Sequence, residues 1–258
     1  MKIAVFTGNS IRHKFVANSL AKEVDDSLII SECTPSDSSQ SQLDPLIQKH
    51  FNLRNETELD FFCGHNYFHS NTLPIIYKEV NLPHIHKVVK EFNPDMMFVF
   101  GSYIIKEPLL SLTPNKFVNL HLGLSPYYRG SGTNFWPFIN NELEFVGSTL
   151  LHLDPGIDTG DIIEHVRPKF EFGDTVHTVG CKVIQESVKH LIKLLNMVKD
   201  KKILPRVNQW DVENSKYYRS SDFNKQILLQ YYKNLDDGLV KNFVTGKKKE
   251  LKLVTIGK

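Results

Sequence analysis

Residues 95–101, DMMFVFG, constrain the fold more than any other stretch. Five consecutive apolar residues between an aspartate and a glycine leave no polar face. Such a run is buried on both sides, as in a central strand of a parallel sheet covered by helices. The start of the chain agrees. Residues 2–7 (KIAVFT) are β-prone, and Gly8-Asn9-Ser10 breaks the run. Phe15, Val16, Leu20 and Val24 then recur at three- and four-residue steps. Strand, glycine turn and helix is how an α/β domain begins. The expected fold is α/β: a Rossmann-like open, mostly parallel sheet flanked by helices, with a short C-terminal extension.

Pattern reading fills in the order. Residues 27–31 read as a second strand, and 43–51 and 56–68 as helices whose Phe61, Phe62, Tyr67 and Phe68 belong to the core. Residues 86–92 form a helix that Asn93-Pro94 ends. The helix through Leu109 stops near Pro114, and 117–121 is the next strand. Residues 133–140 read as a short helix with Trp136 turned inward, and 145–153 as a β-prone run. The sequence DPGIDTGD then leads into a strand at 162–166. An amphipathic helix over 175–198 closes the main domain, placed at 1–203. In the extension, 204–258, residues 208–218 are irregular or strand-like and Asp222 is the expected cap of a helix over 223–235.

Composition excludes several classes. The chain has 258 residues, 41% hydrophobic and 23% charged, with net charge +2, so no bulk field calls for nucleic acid or membrane. From Lys216 to Lys258 ten Lys/Arg stand against four Asp/Glu, which reads as a solvated basic face. Cys33, Cys63 and Cys181 are far apart and fit a reducing compartment. The first residues do not resemble a signal peptide and no stretch is long enough to span a bilayer, so the expected location is cytoplasmic. No metal is expected: His65 and His69 have helical i, i+4 spacing without an HExxH context, and His84 and His86 would not share a face. GxGxxG and the Walker pattern are absent. The polar patch 36–41 (SDSSQS) reads as a surface loop.

The chemistry concentrates in 117–163. On a strand Asn119 and His121 share a face, at the carboxyl end. A long loop rich in Gly and Pro follows, carrying Tyr127, Arg129 and Gly130; loops of this length in compact domains are usually functional. The aspartates of DPGIDTGD do not follow the calcium-loop pattern; alone they read as a hairpin turn. An amide, an imidazole and a carboxylate suffice for a site that moves protons and binds an oxyanion. Near the N-terminus, the Gly8-Asn9-Ser10 turn opens a helix beside Arg12 and His13, a position suited to an anion. Gly101, Ser102, Tyr103, Ile104 and Ile105 follow the central strand, where open α/β sheets bind ligands.

Together, Asn119-x-His121, the PYYRG loop and Asp158-x-Gly160 resemble the folate-dependent formyltransferase family, over roughly residues 2–199. The resemblance implies a formyltransferase fold, a catalytic triad on Asn119, His121 and Asp158, and N10-formyltetrahydrofolate as co-substrate. It places that co-substrate against Gly101, Ser102, Tyr103, Ile104 and Ile105 and against His152, Asp154 and Gly156. It implies a tetrahedral intermediate, with neither metal nor covalent enzyme intermediate. HLGLSP replaces the HxSLLP found in many members, and the C-terminal part is shorter than the second barrel expected of a methionyl-tRNA formyltransferase. The opening residues and the YYRSSDF stretch look more like sugar N-formyltransferases. The expected acceptor is therefore a nucleotide-linked amino sugar, bound by Gly8, Asn9, Ser10, Arg12, His13, Tyr127, Arg129 and Gly130. Glycinamide ribonucleotide, methionyl-tRNA or water are the alternatives. A homodimer through the C-terminal region is expected, with no nucleic-acid or membrane partner.

Overall fold

The computed structural model describes residues 1–34, 44–112, 115–213 and 215–256. The expected 36–41 loop, the helix start at Leu43 and the stop at Pro114 lie outside these. Five strands run parallel: β1 (Lys2–Thr7), β2 (Asp26–Cys33), β3 (Asn71–Ile76), β4 (Met96–Phe100) and β5 (Phe117–His121). β6 (Tyr128–Gly130) stands apart, while β7 (Ser148–His152) and β8 (Ile162–Val166) extend the sheet antiparallel. The spatial order is β3-β2-β1-β4-β5-β7-β8, so the sheet is mostly parallel, as expected. β9 (Lys216–Tyr218) pairs with β6 in a separate small sheet.

The 95–101 run explains the layering. Along β4, Met96, Phe98 and Phe100 enter one core cluster and Met97 and Val99 another. Each buried side chain of this size contributes about 1.5–3 kcal/mol, so the strand is held from both faces. The first cluster packs under α1 (Ile11–Ala21) and α6 (Val176–Lys199); α2 (Pro45–Phe61) lies against α6. The second lies under α3 (Pro83–Phe92) and α4 (Leu109–Leu112). A third cluster joins α5 (Trp136–Ile139), the other side of α6, and the C-terminal helices α7 (Lys225–Asp236) and α8 (Leu239–Thr245).

Three expectations need correction. The two helices expected at 43–51 and 56–68 are one, α2, capped by the Asp44 side chain on the Leu46 N–H with Pro45 at its first position. It ends at Phe61, so His65 and His69 lie in the loop after it, where Tyr67 is exposed rather than in the core. This frees residues 71–76 to form β3. Pro74 is tolerated there because β3 is an edge strand. At the C-terminus, Asn224 rather than Asp222 caps the helix, its side chain accepting from the N–H of Gln226 and Ile227. Asp222 accepts from the Arg219 N–H in a preceding 3-10 turn.

The tail folds back along β8. The His165 N–H donates to the Val254 carbonyl at 2.7 Å, and Ile256 N–H donates to Glu164 at 2.9 Å. The otherwise open sheet edge is thereby covered. No described helix is long and apolar enough to cross a membrane.

Candidate active site

Asn119 and His121 alternate with Val118 and Leu120, which are buried under α1 and α6. Strand pleating therefore puts the amide and the imidazole on the other face, with Phe117. Asp158 arrives from the β7–β8 connection. Its carboxylate takes both: Asn119 Nδ2 donates to Oδ1 at 3.2 Å, and His121 Nδ1 lies 3.3 Å from Oδ2. His121 Nε2 is buried with no hydrogen-bond partner among the described residues. It packs against Gly123; a Cβ there would stand 2.7 Å from it and from Thr133, so only glycine fits. Nδ1 is thus the ring nitrogen turned to the carboxylate.

Asp158 sits at φ +54°, in the left-handed region that aspartate tolerates better than most residues. The turn is held from three sides. Asp154 accepts from the Gly156 N–H and from the Thr159 hydroxyl, at 3.1 and 2.9 Å. Gln209 Nε2 donates to the carbonyls of Asp158 and Gly160, at 2.7 and 2.9 Å. Arg206 and Asn208 donate to Asp161 at 2.9 and 2.8 Å. At Gly160 any Cβ would meet the His152 carbonyl at 1.8 Å, which fixes glycine two residues after the aspartate.

The triad opens into a cleft of about 1120 Å³ at the carboxyl edge of the parallel strands. One wall is Tyr103, Ile104, Ile105, Leu153, Gly156 and Ile157. The 101–106 segment in it is pinned by side chains outside the cleft. The buried Glu32 carboxylate accepts from the N–H of Lys78 and of Tyr103. Asn81 bridges the Ile104 carbonyl and the Lys106 N–H at 2.8 and 2.7 Å. The other wall carries Arg12, His50, Arg54, Glu58 and His177 from α1, α2 and α6, and Tyr217, Tyr218, Arg219 and Ser220 from the extension. Tyr218 stacks on Trp136 with ring centroids 4.0 Å apart.

Charge on this second wall is regulated by burial. Burial first lowers His13 and His177 to about 3 and His50 to about 4; arginines add to this at His13 and His50, and His50 and then the arginines at His177. All three are neutral at pH 7. Burial raises Glu58, opposed by Arg12 and Arg54.

Of the residues singled out in the sequence, Asn119, His121 and Asp158 meet. Gly101, Ser102, Tyr103, Ile104, Ile105, Asp154, Gly156, Arg12, His13 and Gly130 line the same cleft. Gly8, Asn9 and Ser10 line an adjoining cavity of about 320 Å³, with the His13 ring between the two. His152 turns away, Nε2 at 2.9 Å from the Pro205 carbonyl. Tyr127 and Arg129 line neither cavity: the Tyr127 hydroxyl donates to the Lys252 carbonyl, and Arg129 Nε is buried without a partner among the described residues. Sequence reading missed His50, Arg54, Glu58 and His177, because Arg54 and Glu58 at i, i+4 look like a solvated helix pair. It missed Gln209 because a lone amide in an irregular segment carries no signal.

A sequence profile described as formyl transferase matches residues 1–195. The chain belongs to the formyl transferase family. Among curated relatives of this family member, a methionyl-tRNA formyltransferase from Desulforamulus reducens is 30% identical over 131 residues, covering 50% of this chain and 41% of the relative. One from Clostridium tetani is 31% identical over 160 residues, covering 61% and 49%. The chain thus matches under half the length of these relatives. Solved structures share the fold at low identity. Phosphoribosylglycinamide formyltransferase from Anaplasma phagocytophilum superposes with TM-score 0.58 at 17% identity, covering 85% of this chain and 98% of that one. An N-formyltransferase from Helicobacter canadensis, solved with folinic acid and dTDP-3-aminofucose, gives 0.57 at 18%, covering 90% and 78%.

Proposed function

We propose that this protein transfers a formyl group from N10-formyltetrahydrofolate to the amino group of a nucleotide-linked amino sugar. The observation that carries the reading is the Asp158 carboxylate, shared by Asn119 and His121 at the meeting of the cleft's two unlike walls. The donor supplies a formyl carbon whose oxygen gains negative charge as an amine attacks. The backbone-lined wall beside the triad fits a site for such a ligand. Gly101, Ser102, Tyr103, Ile104, Ile105, Asp154 and Gly156 would hold the donor.

Each member of the triad then has a task. Asn119 Nδ2 donates a hydrogen bond to the developing oxyanion. His121 moves the proton that the attacking amine must lose and the leaving nitrogen must gain. Asp158 orients the imidazole and the amide together, and Gln209 orients Asp158. The acceptor lies against α1, α2, α6 and the 217–220 segment, with Arg12 and His13 among its contacts.

The Helicobacter canadensis complex supports an amino-sugar acceptor. So does a formyltransferase PseJ from Anoxybacillus kamchatkensis, solved with UDP-4,6-dideoxy-4-formamido-L-AltNAc and tetrahydrofolate and superposing over 96% of this chain with TM-score 0.53. The names of the curated relatives favour methionyl-tRNA as a second reading. The test is tetrahydrofolate release from the formylated donor, with amino-sugar nucleotides, with methionyl-tRNA and with no amine. Release that requires an amino-sugar nucleotide is expected. Release only with methionyl-tRNA supports the second reading, and full release without amine would make the protein a hydrolase. Within this reading the 204–258 extension also serves dimerisation, checked by light scattering.

A further inference from the structure

The charged wall carries more donors than the fold uses. Arg12 Nη1 lies 3.3 Å from Glu58 Oε1, and Arg54 Nε lies 3.8 Å from the same oxygen. Neither guanidinium makes a hydrogen bond among the described residues, and Nε of each is buried unpaired. A guanidinium presents five N–H donors in a planar fork matched to a carboxylate or phosphoryl group. One loosely placed carboxylate cannot satisfy two forks. Next to them the rings of His50 and His177 lie 4.4 Å apart, with His50 Nδ1 and His177 Nε2 also buried and unpaired. All five side chains line the main cleft.

The charge balance points the same way. Two guanidiniums face one carboxylate, and the imidazoles add nothing at neutral pH, leaving one net positive charge in a partly dry wall. A purely structural ion cluster would be closed and matched. This one is open to the cleft, with donors in excess. We propose that Arg12 and Arg54, backed by His50 and His177, form an anion subsite that takes a phosphoryl or carboxylate group of the acceptor. Glu58 holds the two forks apart and offsets one charge until the ligand arrives. That the anion belongs to the acceptor rests on the function proposed above; the site itself does not.

The test is calorimetric titration of the full chain, without any folate, by inorganic phosphate, pyrophosphate and acetate. The same titrations are run on Arg54→Gln and Arg54→Lys, and the C2–H proton resonance of His177 is followed by NMR. Saturable binding to the native chain is expected, with movement of the His177 resonance. Arg54→Gln should bind about tenfold or more weakly, as loss of a charged hydrogen bond implies. Arg54→Lys keeps the charge without the fork and should fall between. Pyrophosphate or phosphate binding above acetate assigns a phosphoryl group, and the reverse order a carboxylate. The proposal is overturned if no ion binds saturably, if His177 does not respond, or if Arg54→Gln binds as tightly as the native chain. Should Arg54→Gln fail to fold, Arg54→Lys and the His177 resonance decide. Formyl transfer without anion binding would sink this inference alone; anion binding without transfer to any amine would sink the proposed function alone.

Discussion

The two walls of the cleft are built by opposite means. The wall at residues 101–105 and 153–157 is mostly backbone and apolar side chain, held in shape by Glu32, Asn81 and Gln209 around it and by Asp154 within it. The wall of α1, α2 and α6 is charged side chain, with burial keeping its histidines neutral. A backbone wall presents fixed donors and acceptors whatever its side chains, which suits a ligand common to a family. A side-chain wall changes with each substitution, which suits a ligand that differs between members. The triad stands where they meet.

Mutation tests this contrast. The largest effect is expected at the junction. His121→Ala should lower turnover by about 10²–10⁴-fold, since a positioned general acid–base contributes that much. Asn119→Ala should lower it by about 10²–10³-fold, the loss of one oxyanion donor at ~3 kcal/mol. Neither should weaken acceptor binding measured by calorimetry. If both lost binding instead of turnover, the triad would belong to one wall rather than to the chemistry.

Next is the support of the backbone wall. Gln209→Ala removes two hydrogen bonds from the Asp158 turn and should cost about 10–100-fold in kcat, as a misplacement near 1 Å does. The KM for the acceptor should hold steady, and Gln209→Glu should not rescue, because a carboxylate cannot donate to the two carbonyls. A change confined to acceptor KM would place Gln209 with the other wall. Behind the same wall, Glu32→Gln weakens the tie on the Tyr103 and Lys78 N–H groups. It should raise the donor KM about tenfold, the equivalent of one hydrogen bond to a charged group. Steady-state kinetics with each substrate varied in turn separate the two.

The smallest effect is a stability profile to which the histidines of the charged wall contribute, alongside His65, His152 and His165, which burial also lowers. His13, His50 and His177 are held far below their ordinary value near 6.5, first by burial. Below pH 6.5 the unfolded chain takes up protons that the folded one does not, so stability falls as pH drops toward 4. Above 6.5 these groups contribute no slope. Thermal melts across that window should show the fall, and His177→Gln should make it shallower. An unchanged slope in that variant would mean the imidazole is not held neutral by the wall.

Legibility followed the same division. Four of the five parallel strands and the face shared by Asn119 and His121 followed from apolar runs and period-two geometry, which are local properties. The single helix α2, read as two, and the missed β3 show where local reading failed: the 52–55 stretch carries no breaker, and Pro74 hides a strand that only an edge position permits. Tyr127 was singled out by its loop. Its hydroxyl is instead committed to the returning tail at Lys252, a contact across 125 residues.

By itself, then, the amino-acid order determined a layered α/β chain and the residue types of the candidate site, because burial on both faces and alternation along a strand need no distant partner. Tertiary packing alone decided that Asp158 reaches both Asn119 and His121, that Gln209 sets the turn carrying it, and that Arg54 faces inward. Those outcomes depend on which helix lies on which, and a position's neighbours far along the chain are not written in its neighbours nearby.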